Sequence, residues 1–329
     1  YIKTKDPTEE FEGTSEIMIG TYGTRSSGVA FGGPLSDNKD IKYRLAIRKD
    51  YSDGFRKNIF LNKSDTSKKD ETSLRLKVDW DLAKNSKLKF LISDIDLDDP
   101  ADIWTIDGSL NTLSDRPGMD SQRTKTFGVK YYLEFKTFEL QSFSSYTDTD
   151  VVFSYDADWG NSESWHPYVY DYFSETLRDR KSFNQEFRAV SDSADFQKNS
   201  FFDWIIGANY LELKETNLKK DDGLYGDPSD PYGPYASASS SSSKYKSSNF
   251  SVFGSLDYLL SATLKFSIGL RWEDWEADYS DSLNELFNPA DKMSGGKISL
   301  IKSMTNETNI YASLAKGYKQ GGFNLGLGL

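Results

Sequence analysis

Apolar and polar residues alternate one by one along most of this chain. Leu74, Leu76, Val78 and Trp80 are separated by Arg75, Lys77 and Asp79. Tyr43, Leu45 and Ile47 alternate with Arg44, Ala46 and Arg48, and Leu264, Phe266, Ile268, Leu270 and Trp272 with Lys265, Ser267, Gly269, Arg271 and Glu273. A period of two sends successive side chains to opposite faces of a strand. Helical periodicity is scarce. Similar segments near 12–23, 27–36, 88–98, 123–135, 138–153, 181–192, 200–214, 246–259, 295–303 and 308–318 bring the expected number of strands to thirteen.

The links between these segments alternate too. Short ones fall near 37–40, 83–87, 136–137, 193–199, 260–263 and 304–307, and long ones at 54–70, 99–122, 154–180, 215–245 and 281–294. Only the first link, near 24–26, is short where a long one is due. That rhythm predicts an up-and-down antiparallel meander with one tight rim and one elaborate rim, the asymmetry of outer-membrane barrels. Most strands reach the 9–11 residues that a tilted membrane crossing needs.

Alternation alone leaves two architectures open. In a soluble sandwich the apolar face is the core; in a membrane barrel it faces lipid and the polar face lines the lumen. Charge crowded on the polar faces (Glu186 with Arg188, Arg271 with Glu273) and aromatics near strand ends (Tyr131, Tyr132, Tyr210, Tyr258, Trp272, Trp275) point to the barrel.

Composition narrows the chemistry. The 329 residues carry a net charge of −11, so a basic nucleic-acid footprint is absent. There is no cysteine and one histidine, which leaves no thiolate chemistry and little room for a histidine-rich metal site. No cofactor is expected. A Ser-His-acid hydrolase would have to use His166, and no serine has a nucleophile context, so an enzyme is the least supported reading. No run of eighteen apolar residues exists, and the polar opening "YIKTKDPTEE" is no signal peptide. "SDIDLDDPAD" (93–102) lacks the glycine and terminal glutamate of a calcium loop. It reads as a strand with its acids toward the lumen.

Four stretches carry a family resemblance. "YIKTKDPTEEFEGTSEIMIGTYGT" (1–24), "NQEFRAVSD" (184–192) with "DWIIGANYLELKE" (203–215), "LKFSIGLRWEDWEADY" (264–279) and "NIYASLAKGYKQGGFN" (309–324) resemble, in order, segments of TonB-dependent outer-membrane receptors. The resemblance implies an incomplete transmembrane β-barrel over 12–329, with 1–11 as the end of a plug domain and its linker. It also implies short periplasmic turns and long extracellular loops. Thirteen strands are odd and too few for a plugged transporter, so the chain reads as an internal fragment. The implied function is energy-coupled import of a scarce ligand, a ferric siderophore foremost. Its partners would be the ligand, outer-membrane lipid and, through the plug segment, the TonB–ExbB–ExbD complex. A passive porin-like channel and a soluble glycan-binding β-protein are the alternatives.

Candidate ligand contacts lie in two long links. Trp159, Trp165, His166, Tyr168, Tyr170 and Tyr172 form an aromatic-rich stretch in 154–180, and Tyr225 and Tyr232 lie among turn residues in 215–245. Aromatics offer large contact areas with few rotamers to freeze. The serine run that follows reads as a solvated loop tip. The motif Tyr311, Lys316, Gly317, Tyr318, Lys319, Gly321, Gly322, Phe323 and Asn324 is expected to face the plug, its glycines leaving room for close backbone approach.

Overall fold

The computed structural model describes residues 3–192, 201–305 and 307–321. Its strands in chain order are β1 (Glu12–Ile19), β2 (Arg25–Pro34), β3 (Ile41–Ser52), β4 (Lys57–Asn58), β5 (Lys69–Ala83), β6 (Ser86–Pro100), β7 (Asn111–Thr112) and β8 (Met119–Glu134). They continue as β9 (Phe138–Asp156), β10 (Val169–Ser191), β11 (Phe202–Gly226), β12 (Tyr235–Ser261), β13 (Leu264–Asp281), β14 (Leu286–Phe287), β15 (Ala290–Ser303) and β16 (Asn309–Lys316). Thirteen of them pair in sequence order into one antiparallel sheet, β1-β2-β3-β5-β6-β8-β9-β10-β11-β12-β13-β15-β16. The two-residue β14 adds to β13, while β4 and β7 pair with each other inside long links. The expected meander of thirteen strands is therefore present.

Residues near the N-terminus identify the lumen face. Lys77 donates to the Thr4 carbonyl at 2.9 Å and to Asp6 at 2.8 Å, Lys42 to Glu9 at 2.7 Å, and Arg44 to Glu12 at 2.7 Å. The segment before β1 thus lies across the polar face of β3 and β5. Register carries that face around the sheet to Lys130, Phe143, Glu186, Arg188, Arg271 and Glu273.

The opposite face is apolar and uncovered. Ile92, Phe187, Ile206, Leu270, Trp272 and Ile298 are all 40–62 % exposed. Buried apolar residues among those described are Ala101, Trp275, Ala277, Tyr279 and Met293. A soluble sandwich would place its apolar face in a core; here that face needs lipid. Tyr131, Tyr210, Tyr258 and Trp272 lie on it as a girdle should. Tyr132 and Trp275 do not: register puts both on the lumen face, and Trp275 packs with Ala277 and Met293.

The mid-chain strands outrun the sequence pattern. β10, β11 and β12 hold 23, 25 and 27 residues, so the link expected at 154–180 contracts to 157–168 and that at 215–245 to 227–234. The serine run is not a loop tip: it pairs along β11, from Ser237 opposite Gly223 to Ser243 opposite Asn217. Ladder hydrogen bonds use the backbone, so serine satisfies them as well as valine does. Beyond the membrane both faces meet water, so the alternation that marks a strand vanishes there.

The acids of 93–102 are also placed otherwise than expected. Asp94, Asp96 and Asp98 follow Leu88, Phe90 and Ile92 on the outer face, and Ile95 and Leu97 face the lumen. The strand rises past the membrane, where its outer face turns from lipid to water, and Arg123 donates to Asp94 at 3.2 Å.

Candidate functional site

β10, β11 and β12 rise beyond their neighbours as a three-stranded tongue on the long-loop rim. At ~3.3 Å per residue the 27-residue β12 is about 90 Å long, between two and three times the strand length a membrane crossing takes. Its tip gathers aromatics on the lumen face. Tyr170 stands opposite Tyr225, and Tyr225 opposite Tyr235. Tyr172 lies one step lower, opposite Gly223. A Cβ on Gly223 would run into the Tyr172 ring, so glycine here makes room for the tyrosine to lie across the strand. The Tyr170 and Tyr172 rings are 4.8 Å apart, and Trp165 meets Tyr170 edge-on at 5.6 Å. The Tyr235 hydroxyl donates to Asp230 at 2.8 Å.

Asp158 holds this cluster together. Its buried carboxylate accepts from the backbone of Gly160 at 2.9 Å and of Tyr172 at 2.7 Å, and from the Trp165 indole at 3.4 Å. One side chain thereby fixes both the loop that carries Trp165 and the strand that carries the tyrosines. Sequence reading missed it, since one more acid in an acidic loop gives no signal. Nearby, Arg116 lies between Asp171 at 3.5 Å and Asp222 at 3.1 Å, with Phe173 under its guanidinium. Burial pushes the Asp115 carboxyl above its ordinary range, and the negative charges of Asp171 and Asp158 add to it.

The structure thus brings Trp165, Tyr170, Tyr172 and Tyr225 together and adds Tyr235. The remaining candidates are not in that cluster. Tyr232 is 85 % exposed at the 227–234 turn. Trp159 has a left-handed backbone and Tyr168 is half exposed. The His166 backbone donates to the Glu163 carbonyl, and among the described residues no group of three or more His, Cys, Asp or Glu is arranged to hold a metal ion.

The 309–324 motif divides at the end of β16. Register places Tyr311, with Ser313 and Ala315, on the lumen face, and Lys316 on the outer face with Leu314. Tyr318 then turns into the lumen. Its hydroxyl donates to Glu273 at 2.8 Å, and its ring packs against Trp275, Ala277 and Met293. Gly295 accommodates it: an added Cβ there would lie 2.7 Å from the ring. Glu273 also accepts from Arg271 at 2.8 Å and from Asn249. A Cβ on Gly317 or Gly321 meets nothing within 4 Å, so no described neighbour explains those glycines. Lys319 follows the strand, and Gly322, Phe323 and Asn324 lie outside the described residues.

Comparison with known proteins agrees with this architecture. The family described as TonB dependent receptor-like, beta-barrel matches residues 91–328. Among solved structures, the ferric yersiniabactin uptake receptor FyuA from Yersinia pestis superposes with a TM-score of 0.73 at 16% identity, over 98% of this chain and 49% of that one. The siderophore receptor PiuA from Acinetobacter baumannii gives 0.68 at 12%, over 95% and 50%. The copper transporter OprC gives 0.63 at 12%, over 95% and 46%. The chain therefore spans about half the length of these structures, and identities this low speak for the fold alone. No curated protein sequence matches. The family match, the thirteen-strand meander and the uncovered apolar face converge: the chain belongs to the TonB-dependent receptor β-barrel family, whose members are multi-pass barrels of the outer membrane.

Proposed function

We propose that this chain is part of the barrel of a receptor that imports a ferric siderophore by TonB-coupled transport. Residues 1–11 would be the end of the plug linker and 12–329 a partial barrel. Half-length coverage of the solved barrels supports this, as does a sheet whose β1 and β16 edges have no partner strand beyond them among the described residues. An open edge in lipid is not tolerated, so further strands would complete the wall. The plug would enter through the segment held by Lys77, Lys42 and Arg44, and the TonB–ExbB–ExbD complex would act through the plug.

The single observation that carries the ligand reading is the Trp165–Tyr170–Tyr172–Tyr225–Tyr235 cluster at the outward mouth, facing the lumen. Flat aromatic rings held rigidly suit a bulky organic chelate better than a bare ion. Copper, the cargo named for the transporter OprC, is the second ligand to be tested.

Tryptophan fluorescence of the whole receptor tests both. Ferric catecholate, ferric hydroxamate, ferric citrate and Cu(II) are titrated separately, with Trp165→Phe as the reporter control. Saturable quenching by one ferric chelate, diminished in the variant, supports the reading. Response to Cu(II) alone favours the second, and no response to any contradicts both.

A further inference from the structure

Two buried carboxylates stand two residues apart where β9 gives way to the 157–168 link. Asp156 is 5 % exposed and Asp158 3 %. The charge belongs on Asp158, whose oxygens accept three N–H donors, from Gly160, Tyr172 and the Trp165 indole. Asp156 is placed differently. Its Oδ1 accepts from the Asp158 backbone N–H at 3.2 Å, and its Oδ2 is buried with no hydrogen-bond partner among the described residues. Ser114, itself buried, faces Asp156 with a hydroxyl that has no partner either.

The charges around this pair are mostly negative. Asp115, on the link that ends at Gly118, keeps its own Oδ1 buried and without a partner. Asp171 lies on β10, and Asp222 on β11 shares the register row of Asp156 with Phe173 between them. Arg116 is engaged by those two acids, and Lys220 by Glu175 one row below. Among the described residues, neither Asp156 nor Asp158 has a cation within ion-pair distance. A second ionised carboxylate buried beside Asp158 is costly unless it is paired. A proton on Oδ2 removes that charge and supplies a donor for the Ser114 oxygen.

The link that carries Asp158 is fastened on both sides. The Ala157 N–H donates to the Tyr172 carbonyl at 2.7 Å and the Asp115 N–H to the Gly160 carbonyl at 3.0 Å. The Asn161 side chain donates to the Leu113 carbonyl at 2.8 Å. These bonds, with those of Asp158, shut the link over Tyr172 and set Trp165 against Tyr170. Ala157 follows Asp156 directly, so a force on the Asp156 carboxylate acts at the hinge of the link.

We propose that Asp156 is a proton-operated latch on the aromatic cluster: protonated, it keeps the 157–168 link shut with Trp165 against Tyr170; ionised, it drives the link open. Burial pushes the Asp156 carboxyl up to about 7, with the Asp158 charge adding to the shift. In an open link the carboxyl meets water and ionises near its ordinary 3.8. Between those values the closed form keeps a proton that the open form has released. The closed form therefore loses ground as pH rises through that window, with no further loss above it. The meaning of the latch for import rests on the cluster being the capture site; the latch itself does not.

The test is acrylamide quenching of Trp165 in the whole receptor across pH, with the Trp165→Phe signal subtracted in each background. Trp165 should be about threefold more accessible at pH 8 than at pH 5 in the wild type. Asp156→Asn, whose amide stands in for the protonated acid, should stay shielded throughout, while Asp115→Asn keeps the wild-type rise. Heat-modifiable gel migration confirms that each variant is a folded barrel. If Asp156→Asn misfolds, hydrogen exchange of the wild-type 157–168 backbone, corrected for its chemical pH dependence, reads the same opening. A flat wild-type profile by either method, or a rise that survives in Asp156→Asn, overturns the proposal. Ferric-chelate affinity is measured on the same samples, variant against wild type at each pH, so that titration of the chelate cancels. Asp156→Asn should bind about fivefold tighter than wild type at pH 8 and equally at pH 5. A Trp165 switch with no difference in affinity upholds the latch and tells against the cluster as the capture site.

Discussion

Tyr170 stands directly opposite Tyr225 across β10 and β11, with both side chains on the lumen face. The two come from links that look unrelated in sequence, and the long hairpin strands bring them together. Removing either ring should cost ligand affinity about tenfold or more, roughly the 1.4–2 kcal/mol of an aromatic anchor. The barrel should melt as before, because the pair sits on the tongue beyond the membrane. Isothermal titration of Tyr170→Ala and Tyr225→Ala with the ferric chelate checks this.

Two glycines should respond differently to alanine. Gly223→Ala drives a methyl into the Tyr172 ring, a side chain that can rotate away. Folding should survive and ligand affinity should fall about as far as in Tyr172→Ala. Gly118→Ala meets the backbone of Ser154 and Tyr155, with the Tyr155 Cα at 2.6 Å. Backbone cannot step aside, so this variant should lose about 1–3 kcal/mol of stability. Thermal melting in detergent separates the two.

Asp156 gives a pH dependence. It ends β9 on the outward rim and is 5 % exposed. Burial pushes its carboxyl up to about 7, with the Asp158 charge adding to the shift and a hydrogen bond from the Asp158 backbone N–H, at 3.2 Å, opposing it. Between the ordinary 3.8 and about 7 the folded state keeps a proton that the unfolded chain has released. This group therefore lowers stability progressively as pH rises through that window, with no further change above it. Asp156→Asn should raise the melting temperature by a few degrees at pH 8 and leave it unchanged at pH 4.

Much of the wall was legible because lipid and lumen impose opposite polarity on alternate residues. Leu74 to Trp80 and Leu264 to Trp272 were readable as strands for that reason, and both lie with their apolar side chains outward. Above the membrane the signal disappears, so the strand around Ser237–Ser243 looked like a loop and Asp94–Asp98 was turned to the wrong face. The candidate site was half legible. Trp165, Tyr170, Tyr172 and Tyr225 stood out by residue type, but nothing local says that Tyr170 meets Tyr225 or that Asp158 ties Trp165 to Tyr172. Those are long-range facts of register and loop closure.

The N-terminal segment should loosen when its lumen anchor is removed. Lys77 spans two groups in it, the Thr4 carbonyl and the Asp6 carboxylate. Lys77→Met should weaken its docking by about 1 kcal/mol. Limited proteolysis of the whole receptor should then cut between residues 3 and 9 several times faster, while the barrel resists as before.

Uptake of radioactive iron tests the central claim most directly. Iron-starved cells expressing the whole receptor are given the ferric chelate that quenches Trp165 fluorescence, with and without a working TonB protein. The account predicts accumulation that needs both the receptor and TonB, and that Tyr170→Ala/Tyr225→Ala reduces at low chelate concentration. Accumulation that persists without TonB, rising linearly with concentration, would contradict it and point to a passive channel.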